Sequence, residues 1–313
     1  MTKPRVLFFG TPDIAVPSLV ALAEIAEVPF VVCQPDKPVG RHQIVTAPPV
    51  KVRAIELGIP VEQPVKLRTG ELASKMRDAK ADAALVIAYG RILPADVLSA
   101  PRLGCINLHA SLLPKLRGAA PIQWAVARGE SETGITVMQM DEGLDTGPAL
   151  AFFRTPIGPD ETAGELAVRL AELAAVAVRE ALPKVLRGEL PKLLQDDAQA
   201  TLAPILEKAH GTLDWTQPAA AVHALVRGMN PWPLGQTTCR GKRVVVHRTN
   251  LVQPEGARGA PGTVILADKT RVVVACGAGA IELAQIQLEG KKPMRGADWF
   301  LGRGVAEGDV LGG

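Results

Sequence analysis

Asn107 and His109 stand two residues apart at the end of an apolar run, Gly104-Cys105-Ile106-Asn107-Leu108-His109. In an extended chain that spacing puts both side chains on one face. A carboxamide N–H can hydrogen-bond a developing oxyanion, and an imidazole can move or stabilise a proton near pH 7. The pair therefore suits carbonyl chemistry. The same residues would equally suit a capped strand end with a hydrogen-bonded histidine. A carboxylate follows in the Gly-rich, acidic loop Asp141-Glu142-Gly143-Leu144-Asp145-Thr146-Gly147. Asp145 could orient His109 or accept a proton through water, whereas an isolated loop of this kind would be a turn or a cation site. An Asn, a His and an Asp at neighbouring strand ends make a set for acyl transfer.

These residues need strands and helices to bring them together. Arg5–Gly10, Pro29–Gln34, Ala83–Ala88 and Gly104–Leu108 read as buried strands. Continuous apolar runs of this length fit parallel strands covered on both faces. Ile14–Ala26 and Pro48–Leu57 read as helices between them, and Thr162–Leu186 is the longest helix candidate. The alternation predicts an α/β fold with an open, mainly parallel, Rossmann-like sheet, whose ligand site lies at the carboxyl ends of the strands. Thr136–Met140 alternates and is expected as an edge strand.

Gly188–Leu206 carries Pro, Gln and paired Asp and reads as a linker. Beyond it Ala219–Arg227 is a short helix. Lys242–Arg248, Gly262–Leu266, Arg271–Ala275 and Ala280–Leu288 are short β-rich runs separated by Gly-containing turns. That spacing suggests a small β-barrel. The expected organisation is a domain over 1–188, a linker over 189–206 and a barrel domain over 207–313.

Of the 313 residues, 47% are hydrophobic and 21% charged, enough to bury a core and to exclude disorder as the main state. No apolar run approaches the roughly 20 residues that cross a bilayer, and no signal segment opens the chain. No membrane partner is expected. Cys33, Cys105, Cys239 and Cys276 form no CxxC, so neither a metal site nor a disulfide framework is indicated, and reduced thiols in a cytoplasmic protein are expected. The first strand ends in Gly10-Thr11-Pro12-Asp13 without GxGxxG, and no GxxxxGK[ST] occurs. A nicotinamide-dependent oxidoreductase and a P-loop enzyme are thereby disfavoured. Asp36 reads as a turn residue in Pro35-Asp36-Lys37-Pro38.

Charge is uneven. Basic and acidic residues number 22 and 23 through Leu206, and 13 and 9 from Glu207 on. A mildly basic second part hints at an anionic partner. Lys242, Arg243 and Arg248 share one β-rich run there and are candidate phosphate contacts, or else an ordinary solvated face. Trp232, between Pro231 and Pro233, is expected in a buried corner.

Taken together, Gly104–Gln123 (GCINLHASLLPKLRGAAPIQ) and Asp141–Gly147 (DEGLDTG) resemble the folate-dependent formyltransferases. The opening VLFFGTPDIAVPSL, Val32–Arg41, Ala88–Pro94, Leu213-Asp214-Trp215 and Asn230-Pro231-Trp232-Pro233 extend the resemblance along nearly the whole chain, toward members acting on methionyl-tRNA. The resemblance implies a Rossmann-like domain followed by an OB-like barrel. It implies transfer of the formyl group of 10-formyltetrahydrofolate to the α-amino group of methionyl initiator tRNA; the activated donor needs no metal, and a monomer is expected. An amino-sugar nucleotide or glycinamide ribonucleotide is the alternative acceptor. By the resemblance, Asn107, His109 and Asp145 are the catalytic three, and Ser111, Leu112, Leu113 and Pro114 are a folate-binding turn. Ile87, Ala88, Tyr89, Asp141 and Gly143 would line the folate cleft. Arg41 would enter near the tRNA acceptor end, although His42-Gln43-Ile44 follows where relatives carry further lysines.

Overall fold

The computed structural model of the chain describes residues 3–40, 43–252 and 259–312. The first elements are β1 (Val6–Gly10), α1 (Val16–Ile25), β2 (Val31–Val32), β3 (Lys37–Val39), β4 (Ile44–Thr46), α2 (Pro49–Glu56), β5 (Val61–Glu62), α3 (Glu71–Asp78), β6 (Ala83–Ile87) and α4 (Ala95–Leu98). Then come β7 (Cys105–His109), α5 (Pro121–Ala127), β8 (Glu132–Gln139), β9 (Ala149–Pro156) and α6 (Ala163–Leu186). The remainder is α7 (Ala219–Gly228), β10 (Gly235–Cys239), β11 (Lys242–Val252), β12 (Val264–Ala267), β13 (Val272–Ala275), β14 (Ala280–Leu288), β15 (Met294–Arg295) and α8 (Gly296–Leu301).

A seven-stranded sheet runs β5-β2-β1-β6-β7-β8-β9. Its first five members are parallel, and β8 joins β7 antiparallel. The expected Rossmann-like, mainly parallel sheet is present. Every residue of β1 and β6 is buried, because helices cover both faces. Leu7, Phe9, Ala84, Val86 and Cys105 share one core with Leu72, Ala73 and Met76 of α3 and Val97 of α4. The alternate residues Val6, Phe8, Leu85, Ile87 and Ile106 are equally buried, and by alternation they face the opposite side. Thr136–Met140 does not form the edge. Thr136–Gln139 lies within β8, Met140 just beyond its end, and β9 pairs outside β8, so that expectation is corrected. β9 escaped notice because Ala149–Pro156 places Arg154 and Pro156 within a short apolar run.

The second sheet is antiparallel, ordered β10-β11-β14-β13-β12, with β15 on β14. Isolated bridges from Leu311 to Cys239 and from Val310 to Thr263 attach the last residues to both edges of that order. This closure gives the barrel-like character expected of the basic part, and it leaves few unpaired edge groups. Its interior is filled by Leu213, Trp215, Val244, Val246, Ile281 and Leu283, among others. Trp215 Nε1 donates to Thr237 Oγ1 at 3.0 Å, so its buried indole N–H is satisfied. Trp232 is 51% exposed, which corrects the buried-corner expectation. It sits in the turn between α7 and β10, where the chain reverses at the surface.

Contacts divide the chain into two compact units. One comprises Met1–Pro121, Thr133–Thr155 and Ala167–Pro204; the other comprises Ile122–Glu132, Pro156–Leu166 and Ile205–Gly313. Two pieces of the first half therefore belong with the barrel. Hydrogen bonding explains it: Gly164 N–H donates to the Asn230 carbonyl at 3.0 Å, and Arg227 Nη1 donates to the Gly158 and Glu161 carbonyls at 3.1 Å each. Residues 189–204, read as a linker, belong to the first unit.

α6 opens with a capping box. Thr162 N–H and Oγ1 both donate to Glu165 Oε2 at 2.9 Å, and Glu165 N–H returns to Thr162 Oγ1 at 3.2 Å. These contacts, first the Thr162 backbone N–H and then Arg248, hold the Glu165 carboxyl down at about 2. A carboxyl lowered on folding stabilises fully above its unfolded value, about 4.3, and that gain is lost as pH falls through the folded value. Thr162→Ala should cost about 1 kcal/mol in urea unfolding at pH 7. Glu165→Gln should be less stable than the parent there, and the gap should close as pH falls from about 4.3 to about 2. A gap independent of pH would contradict the ionised cap. No helix among the described residues is long and apolar enough to cross a membrane.

Candidate active site

β7 places His109 at its carboxyl end, opposite Thr136 of β8. The imidazole is 5% exposed. Its Nε2 lies 2.9 Å from the Leu116 carbonyl oxygen. A carbonyl only accepts, so Nε2 carries the hydrogen and donates it. Nδ1 is the ring nitrogen left without that anchor, and it faces Asp145 Oδ2 at 3.6 Å. Between His109 and Leu116 the chain makes a tight turn. Ser111 Oγ donates to the Lys115 carbonyl at 2.6 Å, Thr136 Oγ1 donates to the Ser111 carbonyl at 2.6 Å, and Leu113 N–H donates to Thr136 Oγ1 at 3.1 Å. Leu116 itself is left-handed, with φ 61°.

Asp145 sits in the loop between β8 and β9, also left-handed at φ 53°. Its Oδ2 accepts the Gly118 N–H at 2.8 Å, while no described residue hydrogen-bonds Oδ1. The loop is braced by Asp141, whose Oδ1 accepts from Gly143 N–H at 3.1 Å and from Thr146 Oγ1 at 2.8 Å. Two glycines are dictated by close approach. A Cβ at Gly147 would collide with the Gln139 carbonyl oxygen, and one at Gly118 would sit 2.8 Å from the Ala203 carbonyl oxygen at a φ of 118°.

Asn107 is half-buried on β7, between Val86 of β6 and Met138 of β8. It shares a face with His109 and with Cys105, which is packed toward α4. Its carboxamide makes no hydrogen bond among the described residues. A cavity of ≈ 570 Å³ opens on the α4 side, lined by Ala95, Leu98, Ser99, Met140, Asp141, Glu142 and Gly143. That volume is in the range of small-molecule sites, and its lining mixes apolar walls with a few polar groups.

Residues 193–203 form a strap along these loops. Leu193 and Ala149 exchange backbone hydrogen bonds at 2.8 and 2.9 Å. Leu116 N–H donates to Thr201 Oγ1 at 2.9 Å, Arg117 N–H to the Thr201 carbonyl at 2.8 Å, and Ala203 N–H to the Arg117 carbonyl at 2.7 Å. Gln195 Nε2 donates to the carbonyls of Asp145 and Gly147, both at 2.7 Å. Gln195 Oε1 accepts from Arg117 Nε at 3.1 Å and Nη2 at 2.8 Å. Arg117, 7% exposed, also meets Asp197 Oδ1 at 2.8 Å. Sequence reasoning missed Leu116, Gly118, Arg117 and Gln195. Leu116 and Gly118 act through backbone groups, and Gln195 lies in a stretch that looks like a tether.

The other expected residues divide. Asp141 and Gly143 line the cavity, whereas the side chains of Ile87 and Tyr89 are buried in the core and only Ala88, left-handed at φ 47°, is exposed. Ser111, Leu112, Leu113 and Pro114 form the turn that carries Leu116, with the Ser111 hydroxyl bonded to Lys115 within it and Leu113 N–H bonded to Thr136 of β8. Asp36 is more than a turn residue. Lys51 Nζ lies 2.7 Å from its Oδ2 and Gln63 Nε2 donates to its Oδ1 at 2.7 Å, contacts that hold its carboxyl below the usual range. Lys242 and Arg243 are exposed on β11. Arg248 is paired with Glu165 at 2.6 Å. Arg41 lies outside the described residues. Among the described residues no group of three His, Cys, Asp or Glu could hold a metal ion.

The chain that builds this sheet matches a known family. The formyl transferase family model matches residues 5–184, and the formyl transferase C-terminal domain model matches residues 205–304. The chain belongs to the formyl transferase family. It is 56% identical to a protein of Sorangium cellulosum over 98% of this chain and 99% of the relative, and 50% identical to one of Myxococcus xanthus over 98% of each. Both relatives are named methionyl-tRNA formyltransferase. Among solved structures, HypX from Aquifex aeolicus in complex with tetrahydrofolic acid has a TM-score of 0.61 at 18% identity, covering 96% of this chain and 47% of that one. The sugar 3N-formyltransferase WlaRD has a TM-score of 0.67 at 15% identity, covering 93% of this chain and 100% of that one. These two establish likeness of fold.

Proposed function

We propose that the chain transfers a formyl group from 10-formyltetrahydrofolate to the α-amine of methionyl-tRNA. The observation that carries the reading is the seating of His109. Its Nε2–H is anchored on the Leu116 carbonyl, its Nδ1 is turned to Asp145, and the Asn107 carboxamide, unpaired among the described residues, stands on the same strand face. The names of relatives aligned over nearly the whole chain support the acceptor. The tetrahydrofolate complex of a fold neighbour supports the class of donor.

The bound donor supplies an already activated formyl carbon. Asn107 donates a hydrogen bond to the formyl oxygen as charge develops there. Asp145 takes the proton lost by the attacking amine, and its Oδ1 is the atom free to meet it. His109 Nδ1 shares that proton with Asp145 and returns it to the leaving nitrogen. The cavity between α4 and the 140–143 loop suits a flat heteroaromatic ring, with Leu98 and Met140 as walls and Ser99 and Asp141 as polar ends.

A single-turnover assay with labelled donor tests the reading. Formyl transfer to methionyl-tRNA, and none to an amino-sugar nucleotide or glycinamide ribonucleotide, is expected. Transfer to either small amine without transfer to the tRNA would overturn it. For tRNA affinity, phosphate contacts should make log K fall with log salt. Lys242→Ala and Arg243→Ala should each flatten that slope by about 1 if each side chain meets one phosphate. Arg248→Ala should change it less, because Glu165 already neutralises that guanidinium. Equal slopes for all three variants and the parent would remove β11 from the tRNA surface.

A further inference from the structure

Gln195 uses all of its hydrogen-bonding capacity in one place. Its amide nitrogen donates to the carbonyls of Asp145 and Gly147, and its amide oxygen accepts twice from the Arg117 guanidinium. The two carbonyls belong to the left-handed Asp145 itself and to Gly147, two residues on. Arg117 lies between Leu116, whose carbonyl orients His109, and Gly118, whose N–H fixes Asp145 Oδ2. One side chain thus clasps the two loops that carry the proton-handling pair. We propose that Gln195 is a positioning residue: it locks the Asp145 loop against the 116–118 turn, so that the Asp145 carboxylate and His109 Nδ1 face each other in catalytic register.

The chemistry of the clasp requires an amide. Two carbonyl acceptors sit on one side and a cationic donor on the other, so the bridging group must donate twice and accept twice. A glutamate at this position would keep the Arg117 contact, as an ion pair, and would set a carboxylate oxygen against the Asp145 and Gly147 carbonyls. Gln195→Glu is therefore nearly isosteric and breaks only the half of the clasp that holds Asp145. Among the described residues no other strap side chain hydrogen-bonds these carbonyls; Thr201 Oγ1 and Asp197 meet Leu116 and Arg117 instead.

The rate readout rests on the proposed formyl transfer; a second readout does not. In Gln195→Glu, kcat is expected to fall by about 10–100-fold, the size of effect that a sub-ångström to ångström misplacement produces, with KM for donor and acceptor within about twofold of the parent. If Gln195 acts through Asp145, then Gln195→Glu combined with Asp145→Asn should be no slower than Asp145→Asn alone. Independent of any substrate, the Gly118 amide proton, hydrogen-bonded to the Asp145 carboxylate, should move upfield in the NMR spectrum of Gln195→Glu. Additive rate losses in the double variant, or an unmoved Gly118 resonance, would overturn the proposal. A parent protein inactive on methionyl-tRNA, with the Gly118 shift still observed, would instead defeat the acceptor assignment and leave the clasp standing. Should Gln195→Glu fail to fold by circular dichroism, Gln195→Ala, which removes the clasp without adding charge, carries the same cycle and the same resonance.

Discussion

Asp145→Asn is expected to lower the single-turnover rate of formyl transfer by about 10²–10⁴, the range over which positioned proton transfer acts, and to leave the fold intact. The substitution is unusually clean here. Asp145 is left-handed, and Asn is among the residues that adopt that region most readily, so the backbone is not forced. The Asn carboxamide oxygen can still accept the Gly118 N–H that Asp145 Oδ2 now accepts. What it cannot do is take a proton from an amine or balance charge on His109. A thermal midpoint close to the parent with a collapsed rate is the expected pair of results. An Asp145→Asn protein with the parent's rate would remove Asp145 from the chemistry and leave it as a loop brace.

Asn107→Ala is expected to lower the rate by about 10²–10³, as loss of one oxyanion donor does elsewhere. Its stability effect should be small for a reason visible in the structure. The carboxamide has no hydrogen-bonded partner among the described residues, so truncation orphans nothing. Side-by-side kcat/KM and urea unfolding measurements separate the two outcomes. A large loss of stability with a proportionate loss of rate would mean that Asn107 is structural.

The Asn107–His109 pair was legible because extended chain has a period of two, so the spacing alone assigns both side chains to one face. The Asp141–Gly147 loop was legible from its two glycines, of which Gly147 leaves no room for a Cβ beside the Gln139 carbonyl oxygen. Other parts were not, for definite reasons. Leu116 orients His109 through its carbonyl, a group every residue carries, so its type conveys nothing. Gln195 lies among Pro, Asp and Gln, a composition shared by tethers and by straps laid along a surface. The pieces 122–132 and 156–166 belong with the barrel through backbone pairings distant in sequence, such as Gly164 to Asn230, which no local pattern announces. The exposed Trp232 is a similar case. Neighbouring prolines indicate a turn, and they do not say which way the indole points.

Ala88, Leu116 and Asp145 all adopt the left-handed region, at φ values of 47°, 61° and 53°. Each such residue costs an L-amino acid on the order of 1 kcal/mol, and glycine would relieve it. At Leu116, only 4% exposed, that relief is smaller than the roughly 2–5 kcal/mol lost with the buried side chain, so a selection by melting temperature alone would keep leucine there. Glycine at Asp145 would likewise forfeit the carboxylate that ties this loop to the Gly118 N–H.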